Sequence, residues 1–297
     1  MKQQTTLYRL VPLIAILGAI AAVVGLFSTN GGGPFQFTTL NNQVVEMYGR
    51  GLYQNDTTLI AVGFRVGDAF TLVAGIPLLL ISFWMYRRGS ICGGILLTGT
   101  LIFFLYNYGS MALGAAYNNL FLAYIILMMM SLFGTLSLVM SFDQQTFPAL
   151  FSERLPRRRI SIYLIVSGVI LFCIWLLLSI VPALIAGIVP AEVASYTTII
   201  TFVVDMGIIA PALVISGRIF LHREPLGYIL ASILLVFIDV LGCSLIVMGI
   251  AQQIAGLMNI GQFVGFVVSF AILTLFSLGF TIVLFRNITD PAPKQTI

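Results

Sequence analysis

The sequence predicts an all-α integral membrane protein with about eight transmembrane helices. Apolar residues make up 60% of the 297-residue chain, whereas charged residues make up only 8%. A soluble domain carries about 25% charged residues, so this chain has too few ionic groups to build a water-facing surface. The apolar residues also fall into long runs, and about 20 helical residues cross a ~30 Å hydrocarbon core. Such runs indicate helices rather than barrel strands, because a helix satisfies its own backbone hydrogen bonds.

Hydropathy and helix breakers place the spans along the chain. Lys2 and Arg9 precede the first run, as in a secretory signal peptide, but residues 26–30 contain no cleavage site of small residues. We therefore interpret the first run as a retained anchor helix. The predicted spans are residues 8–27, 62–86, 91–116, 120–141, 160–186, 198–219, 227–251 and 263–286.

Residues 28–58 form the longest predicted connection on the outer side. Residues 35–39 alternate with period two, residues 44–48 are rich in β-formers, and an Asn-rich turn separates the two runs. This pattern predicts a short β-hairpin between the first two helices. It serves either as a lid over an outward cavity or as a connection packed on the helix ends.

The placement of Lys and Arg predicts the orientation. With the N-terminus inside, Arg50 and Arg65 are the only two cations in outer segments. Cytoplasmic loops carry the excess of Lys and Arg in membrane proteins, so both termini are expected in the cytoplasm, in a plasma or inner membrane. The twelve inner cations are Lys2, Arg9, Arg87, Arg88, Arg154, Arg157, Arg158, Arg159, Arg218, Arg223, Arg286 and Lys294.

The two halves of the chain show a related pattern, which predicts a parallel 4+4 internal repeat. Asp68 precedes Pro77 by nine residues, and Asp205 precedes Pro211 by six. In the next predicted helix of each half, residues 104–109 align with residues 237–242. Units of four helices share one orientation, as in several transporter folds. The predicted units are residues 1–150 and residues 151–297.

Three stretches resemble a family of uncharacterised bacterial multi-pass membrane proteins. They are GPFQFTT at residues 33–39, YGRGLY at residues 48–53 and ALGAAYN at residues 112–118. The resemblance extends over most of the chain and supports the multi-pass architecture. It implies no activity, because none is attached to that family.

Three aspartates fall inside predicted spans and are the main candidate site residues. An ionised aspartate in the middle of a membrane helix costs about 2.5–3.5 kcal/mol on insertion scales, so it is usually buried, paired or functional. Arg65 lies three residues before Asp68, on the same helix face, which predicts an ion pair. Asp205 and Asp239 have no cation within one helical turn. The alternatives for these two are that they are protonated, pair with hydroxyls or tyrosines on neighbouring helices, or line a wet cavity. A proton- or cation-linked role for at least one of them is one hypothesis.

Further candidates surround these aspartates. Tyr106 and Asn107 extend a polar and aromatic cluster toward the outer side, and Gly261 with Gly265 indicates a close contact between helices. The single histidine, His222, excludes bis-histidine haem ligation and H-E-x-x-H zinc sites. No metal site and no cofactor are predicted.

The leading hypothesis is a small-solute or proton- or ion-linked transporter, or a ligand-binding membrane protein. Its outward cavity would lie between the two halves, with Asp205 and Asp239 at the polar centre and Asp68–Arg65 at the mouth. The alternative is a non-transporting sensor, assembly factor or accessory subunit that uses the hairpin as a docking edge. A third hypothesis is a lipid-linked enzyme with Glu46 and Asp56 as acid and base. The expected partners are the lipid bilayer and a small molecule or ion, and nucleic acid is not expected.

Overall fold

The computed structural model describes residues 5–289, and in that range eight helices are long and apolar enough to cross a membrane. The predicted membrane class and helix number are confirmed. A two-stranded antiparallel hairpin between the first two helices, with Phe35 opposite Met47, is confirmed as well. The elements are α1 (Leu7–Phe27), β1 (Phe35–Thr38), β2 (Val44–Met47), α2 (Thr58–Arg87), α3 (Ile91–Gly114), α4 (Phe121–Ser141), α5 (Arg157–Ala186), α6 (Ile200–Leu221), α7 (Pro225–Ile254) and α8 (Ile260–Arg286).

Local sequence determines where several helices begin and end. The Ser90 hydroxyl accepts a hydrogen bond from the Gly93 amide at 3.2 Å and caps α3. At the start of α8, Asn259 and Gln262 exchange side-chain to backbone hydrogen bonds of 2.9 and 3.0 Å, which is a capping box. Gly187 ends α5 in the left-handed conformation that glycine adopts without strain.

Three of the long helices are interrupted by a π-helical turn that ends two residues before a proline. A proline has no amide hydrogen, and its ring clashes with the carbonyl four residues earlier. Widening the preceding turn to a π-helix relieves that clash without ending the helix. The turns and their prolines are Thr71–Gly75 with Pro77 in α2, Leu176–Ile180 with Pro182 in α5, and Asp205–Ile209 with Pro211 in α6.

The centre of the bundle is formed by α3 and α7, which pack along each other and join the two halves. In the most apolar 18-residue stretch of each helix, the buried share is 67% in α3 and 56% in α7, against 22% in α5 and in α8. The contact is close because Gly99 has no side chain: a Cβ atom there would lie 2.5 Å from Val236 Cγ1 and 2.9 Å from the Ile233 carbonyl oxygen. The outer helices α5 and α8 therefore present most of their surface to the surroundings.

The predicted repeat has partial counterparts in the structure. The aligned segments 104–109 and 237–242 lie on α3 and α7, which pack together, and the corresponding helices α2 and α6 both carry a π turn before a proline. The halves also differ, since α1 packs on both α2 and α4 whereas α5 packs chiefly on α6. The internal duplication and the division at residue 150 remain predictions.

The two ends of the bundle have different character. The hairpin end contains residues 28–57, 115–120, 187–199 and 255–259, and there the Gln43 amide donates to the Val189 carbonyl at 3.4 Å. The opposite end, which we call the arginine end, carries Arg157, whose guanidinium donates to the Tyr228 hydroxyl at 2.7 Å. Two of the predicted inner cations, Lys2 and Lys294, lie outside the described residues.

The expectation of a close contact at Gly261 and Gly265 is wrong. Nothing lies within 4 Å of a Cβ placed on Gly265, and a Cβ on Gly261 would meet only the capping side chain of Asn259. The two glycines lie on the exposed side of α8, near its start. Small residues on a helix indicate that a neighbour can approach closely, but they do not show that one does.

Replacing Gly99 by alanine is expected to destabilise the protein. The methyl group would overlap Val236, and overpacking typically costs about 1–3 kcal/mol. That cost exceeds the gain of about 1 kcal/mol from replacing glycine by alanine in a helix. Thermal unfolding in detergent measures the difference. Gly265→Ala is the matched control and should be neutral or stabilising, and equal melting temperatures for the two variants would contradict the packing of α3 on α7.

Candidate functional site

The three aspartates inside the helices are all buried and all paired with neutral donors. Their exposed fractions are 0% for Asp68 and 7% for Asp205 and Asp239. Their hydrogen bonds come from tyrosine, tryptophan and threonine side chains, and the three sets of donors have no member in common. Among the described residues, each aspartate therefore belongs to a hydrogen-bond network of its own.

Asp68 lies where α2 passes the end of α1. Its Oδ2 atom accepts a hydrogen bond from the Tyr53 hydroxyl at 2.7 Å, and the Tyr124 hydroxyl lies 3.4 Å from the Tyr53 hydroxyl. Gly25 of α1 makes this approach possible, because a Cβ atom there would lie 1.9 Å from Asp68 Oδ2. Burial and the nearby Asp68 charge raise the pKa of Tyr53 well above its ordinary value, so Tyr53 stays protonated and remains a donor.

The predicted ion pair between Arg65 and Asp68 is not formed. Arg65 instead donates to the Gly25 carbonyl oxygen at 3.3 Å and lies over the Tyr48 ring, 5.8 Å from its centroid. Gly25 is in the last turn of α1, where the carbonyl groups have no partner within the helix and the helix dipole is negative. The end of α1 thus competes successfully for the guanidinium, while Tyr53 donates to one oxygen of the carboxylate and the other, Oδ1, has no partner among the described residues.

Asp205 joins three helices. Its Oδ1 atom accepts a hydrogen bond from the Tyr106 hydroxyl of α3 at 3.1 Å, and its Oδ2 atom accepts one from the Trp175 indole of α5 at 3.0 Å. Asp205 is also the first residue of the π turn in α6. The carboxylate therefore connects the first half of the chain with two helices of the second half.

Tyr106 was predicted as a candidate, whereas Trp175 was missed. Trp175 is one of only two tryptophans in the chain. An indole N–H inside a membrane span needs an acceptor, so its position in an apolar run could have marked it as the partner of a buried carboxylate.

Three consecutive residues of α3 contact three different helices. Tyr106 contacts α6 as described, Asn107 donates to the Thr71 hydroxyl of α2 at 3.5 Å, and Tyr108 donates to the Gly18 carbonyl oxygen of α1 at 3.1 Å. Successive helical side chains point about 100° apart, which allows this distribution. The candidates Tyr106 and Asn107 therefore do not form one cluster but connect α3 to separate neighbours.

Asp239 lies between α7 and α8. Its Oδ2 atom accepts a hydrogen bond from the Thr281 hydroxyl at 2.6 Å, whereas its buried Oδ1 atom has no partner among the described residues. This network shares no residue with that of Asp205. The sequence-based expectation of one polar centre formed by both aspartates does not match this arrangement.

A fourth buried carboxylate, Asp56, lies at the hairpin end. Its Oδ1 atom accepts hydrogen bonds from the Ala116 amide and from the Tyr196 hydroxyl, both at 2.8 Å, and Tyr196 in turn accepts one from the Thr57 amide at 3.2 Å. These bonds join the loop before α2, the loop after α3 and the loop after α5. Burial raises the pKa of Asp56 from its ordinary value of 3.8 to about 6, although the two donors act in the opposite direction.

The proposed acid–base pair of Glu46 and Asp56 is not assembled. Asp56 was expected to be an exposed loop carboxylate, but its exposed fraction is 0%. Glu46 accepts a hydrogen bond from the Thr58 hydroxyl at 2.9 Å and has no contact with Asp56. The enzyme hypothesis loses its two reactive groups in this arrangement.

Two cavities lie at the surface of the bundle, and neither is lined by Asp205 or Asp239. One, of about 310 Å³, is an apolar groove between α5 and α6 beside Pro211. The other, of about 370 Å³, lies at the hairpin end between α1, α2 and the base of the hairpin. Arg50 and Arg65 both line the second cavity, which belongs to the first half rather than to the contact between the halves.

The stability of the protein is expected to fall as pH rises through about 6, because of Asp56. The folded state holds the Asp56 proton more tightly than the unfolded chain does, so this group contributes stability that is complete below pH 3.8 and is lost as pH approaches and passes 6. The whole effect is on the order of 3 kcal/mol. Asp56→Asn keeps an acceptor for Ala116 and Tyr196 but cannot ionise, so it should lack this component.

The measurement is the difference in melting temperature between wild type and Asp56→Asn, taken at several pH values from about 4 to about 7.5. Glu46→Gln, which removes a carboxylate at the exposed side of the hairpin, is the control. Parallel pH profiles for wild type and Asp56→Asn would show that Asp56 does not titrate in this range.

The three stretches that carry the family resemblance gather at one end of the bundle. Residues 33–39 contain β1, residues 48–53 follow β2, and residues 112–118 include the end of α3. Membership of that family remains a prediction. Comparison with family models, with curated proteins and with solved structures gave no match to this chain.

Proposed function

We propose that this protein is a proton-linked carrier of a small solute and that Asp205 is the residue that exchanges the proton. The observation that supports this most directly is the bridge that Asp205 makes between Tyr106 in the first half and Trp175 in the second. A change in the charge of this one carboxylate alters a contact between the halves. Carriers expose their sites alternately by moving such halves against each other.

The surroundings of Asp205 favour proton exchange over a structural ion pair. Its hydrogen-bond partners are two neutral groups, and none is a cation. Burying an ionised carboxylate in a membrane is costly, and ionisable residues in such places mark proton and ion pathways by default. Protonation removes this cost, which favours exchange of a proton at Asp205.

Protonation of Asp205 would weaken the contact that its carboxylate makes with α3 and α5. Tryptophan can only donate, and a protonated carboxyl group is a poorer acceptor than a carboxylate, because hydrogen bonds to charged groups are about twice as strong as neutral ones. Loss of the bond to Trp175 would release α5 from α6. The π turn that begins at Asp205 and ends before Pro211 supplies a place where α6 can bend.

The proposed orientation follows the positive-inside rule. Of the described Lys and Arg residues, two are on the hairpin side, namely Arg50 and Arg65. The larger number, which includes Arg9, Arg87 and Arg157, is on the side of the arginine end. Cytoplasmic loops carry the excess of such cations. The hairpin end then faces outward, and both termini lie in the cytoplasm.

Trp175 fluorescence provides a test that needs no knowledge of the solute. In a Trp84→Phe background Trp175 is the only tryptophan, and its emission should titrate with pH as its hydrogen-bond acceptor gains a proton. Asp205→Asn should abolish that titration, whereas Asp239→Asn should keep it. A titration that persists in Asp205→Asn would remove this residue from the proposed mechanism.

Transport itself is tested by electrical recording from proteoliposomes adsorbed on a solid support. A panel of amino acids, sugars and small carboxylic acids is applied with and without an inward pH gradient. We expect one class to evoke a current that depends on the gradient and disappears in Asp205→Asn. The control variant is Thr100→Val, which removes a buried hydroxyl group from α3 without contacting Asp205.

A docking role is the second candidate, and the tip of the hairpin favours it. Leu40 is fully exposed, and Phe37 and Val44 are 45% and 64% exposed. Such apolar side chains at the end of a small hairpin are suited to contact a partner protein. If deletion of residues 35–47 removed a co-purifying protein and left the Trp175 titration unchanged, the docking role would be favoured over the carrier.

A further inference from the structure

The contact between α5, α7 and α8 contains an unusual concentration of polar groups in the middle of the membrane. Asp239 is at the midpoint of the 30-residue helix α7. Thr281 of α8 donates to its carboxylate at 2.6 Å, and Ser277, one turn earlier on α8, donates to the Leu235 carbonyl oxygen, one turn before Asp239 on α7, at 3.1 Å. Tyr163 of α5 donates to the Leu273 carbonyl oxygen of α8 at 2.9 Å, one turn before Ser277.

Several oxygen atoms in this contact are buried without a hydrogen-bond partner among the described residues. They are Asp239 Oδ1, Thr274 Oγ1 and Ser167 Oγ, and the three residues are between 93% and 97% buried. Thr274 Oγ1 lies against Gly242, one turn along α7 from Asp239, where a Cβ atom would be only 2.0 Å away. Ser167 lies one turn after Tyr163 on α5. Buried polar atoms are satisfied in more than nine of ten cases, so this set calls for a ligand.

The chemistry of the set identifies the kind of ligand. All the available atoms are oxygens, which are the ligands preferred by hard cations. A proton on Asp239 would satisfy one oxygen and leave the hydroxyl oxygens of Thr274 and Ser167 as they are. A cation binds several oxygens together. Because Asp239 supplies the only negative charge, a monovalent cation makes the site neutral, whereas a divalent one would leave an uncompensated charge in hydrocarbon.

From this arrangement we infer that Asp239, Thr281, Ser277 and Tyr163 form a binding site for a monovalent cation, of which Na⁺ is the probe to test. Thr274 and Ser167 lie at its edges and complete the supply of oxygens. The site is separate from Asp205, and its existence does not depend on the carrier function.

The primary test is the binding of ²²Na⁺ to the purified protein in detergent, in choline chloride of constant ionic strength. We expect saturable binding, together with a rise in melting temperature on adding NaCl that choline chloride does not produce. Asp239→Asn and Thr281→Val should each weaken Na⁺ binding by at least about tenfold, as changes around metal ligands usually do. Thr281→Val conserves shape and retains the charge of Asp239, so it remains informative if Asp239→Asn fails to fold.

Thr100→Val is the matched control, because Thr100 is also a buried threonine. Its hydroxyl donates to a backbone carbonyl of α3, a helix that contributes no residue to the proposed site. It should bind Na⁺ as the wild type does. Absence of saturable binding to the wild type, or equal binding by Thr281→Val and Thr100→Val, would overturn the cation site. A stabilisation by acid that is independent of Na⁺ and is lost in Asp239→Asn would assign a proton to Asp239 instead, and would also overturn it.

Discussion

Inside a bilayer a carboxylate has no water to hydrogen-bond with, and among the described residues the donors beside the three aspartates of the helices are neutral groups rather than cations. Tyr53 serves Asp68, Tyr106 and Trp175 serve Asp205, and Thr281 serves Asp239. A buried ion pair has no net charge to exchange, and breaking it costs several kcal/mol. A carboxylate held by hydroxyl and indole groups is suited instead to exchange a proton or a small cation, and its neighbours respond through the hydrogen bonds that they donate to it.

The need to pair buried polar groups within the protein also explains why α3 is central to the architecture. Its consecutive residues 106, 107 and 108 reach α6, α2 and α1, so one turn of a single helix connects both halves of the molecule. Gly99 on the same helix lets α7 approach closely. A displacement of α3 therefore cannot stay local, because it changes polar contacts in both halves.

The fold could be predicted from the sequence because length and hydropathy determine whether a segment crosses a membrane. The hairpin was predictable from its alternation and turn residues, and the disturbed helices from Pro77 and Pro211. The hydrogen-bond partners of the polar side chains could not be predicted in the same way. Arg65 and Asp68 are neighbours along the helix, yet each bonds to another segment, because the free carbonyls of α1 and the hydroxyl of Tyr53 become available only in the folded bundle.

The burial of Asp56 could not be predicted from the sequence either, because it depends on loops that are distant along the chain. Its Tyr196 partner is 140 residues away along the chain, and no local pattern indicates that they meet. The separation of Asp205 from Asp239 has the same origin. Two aspartates inside apolar spans can point into different contacts, and hydropathy provides only their positions along the spans.

The π turns change how the helix faces must be interpreted. Each one is equivalent to inserting a single residue into an α-helix, which rotates everything beyond it by about 100°. In α6, the face that carries Asp205 and the face that continues past Pro211 are therefore out of phase with each other. A helical wheel drawn through the whole of residues 200–221 would assign the buried side of one portion to the lipid. The helix consists of two short segments, each with its own inner face, joined at the carboxylate.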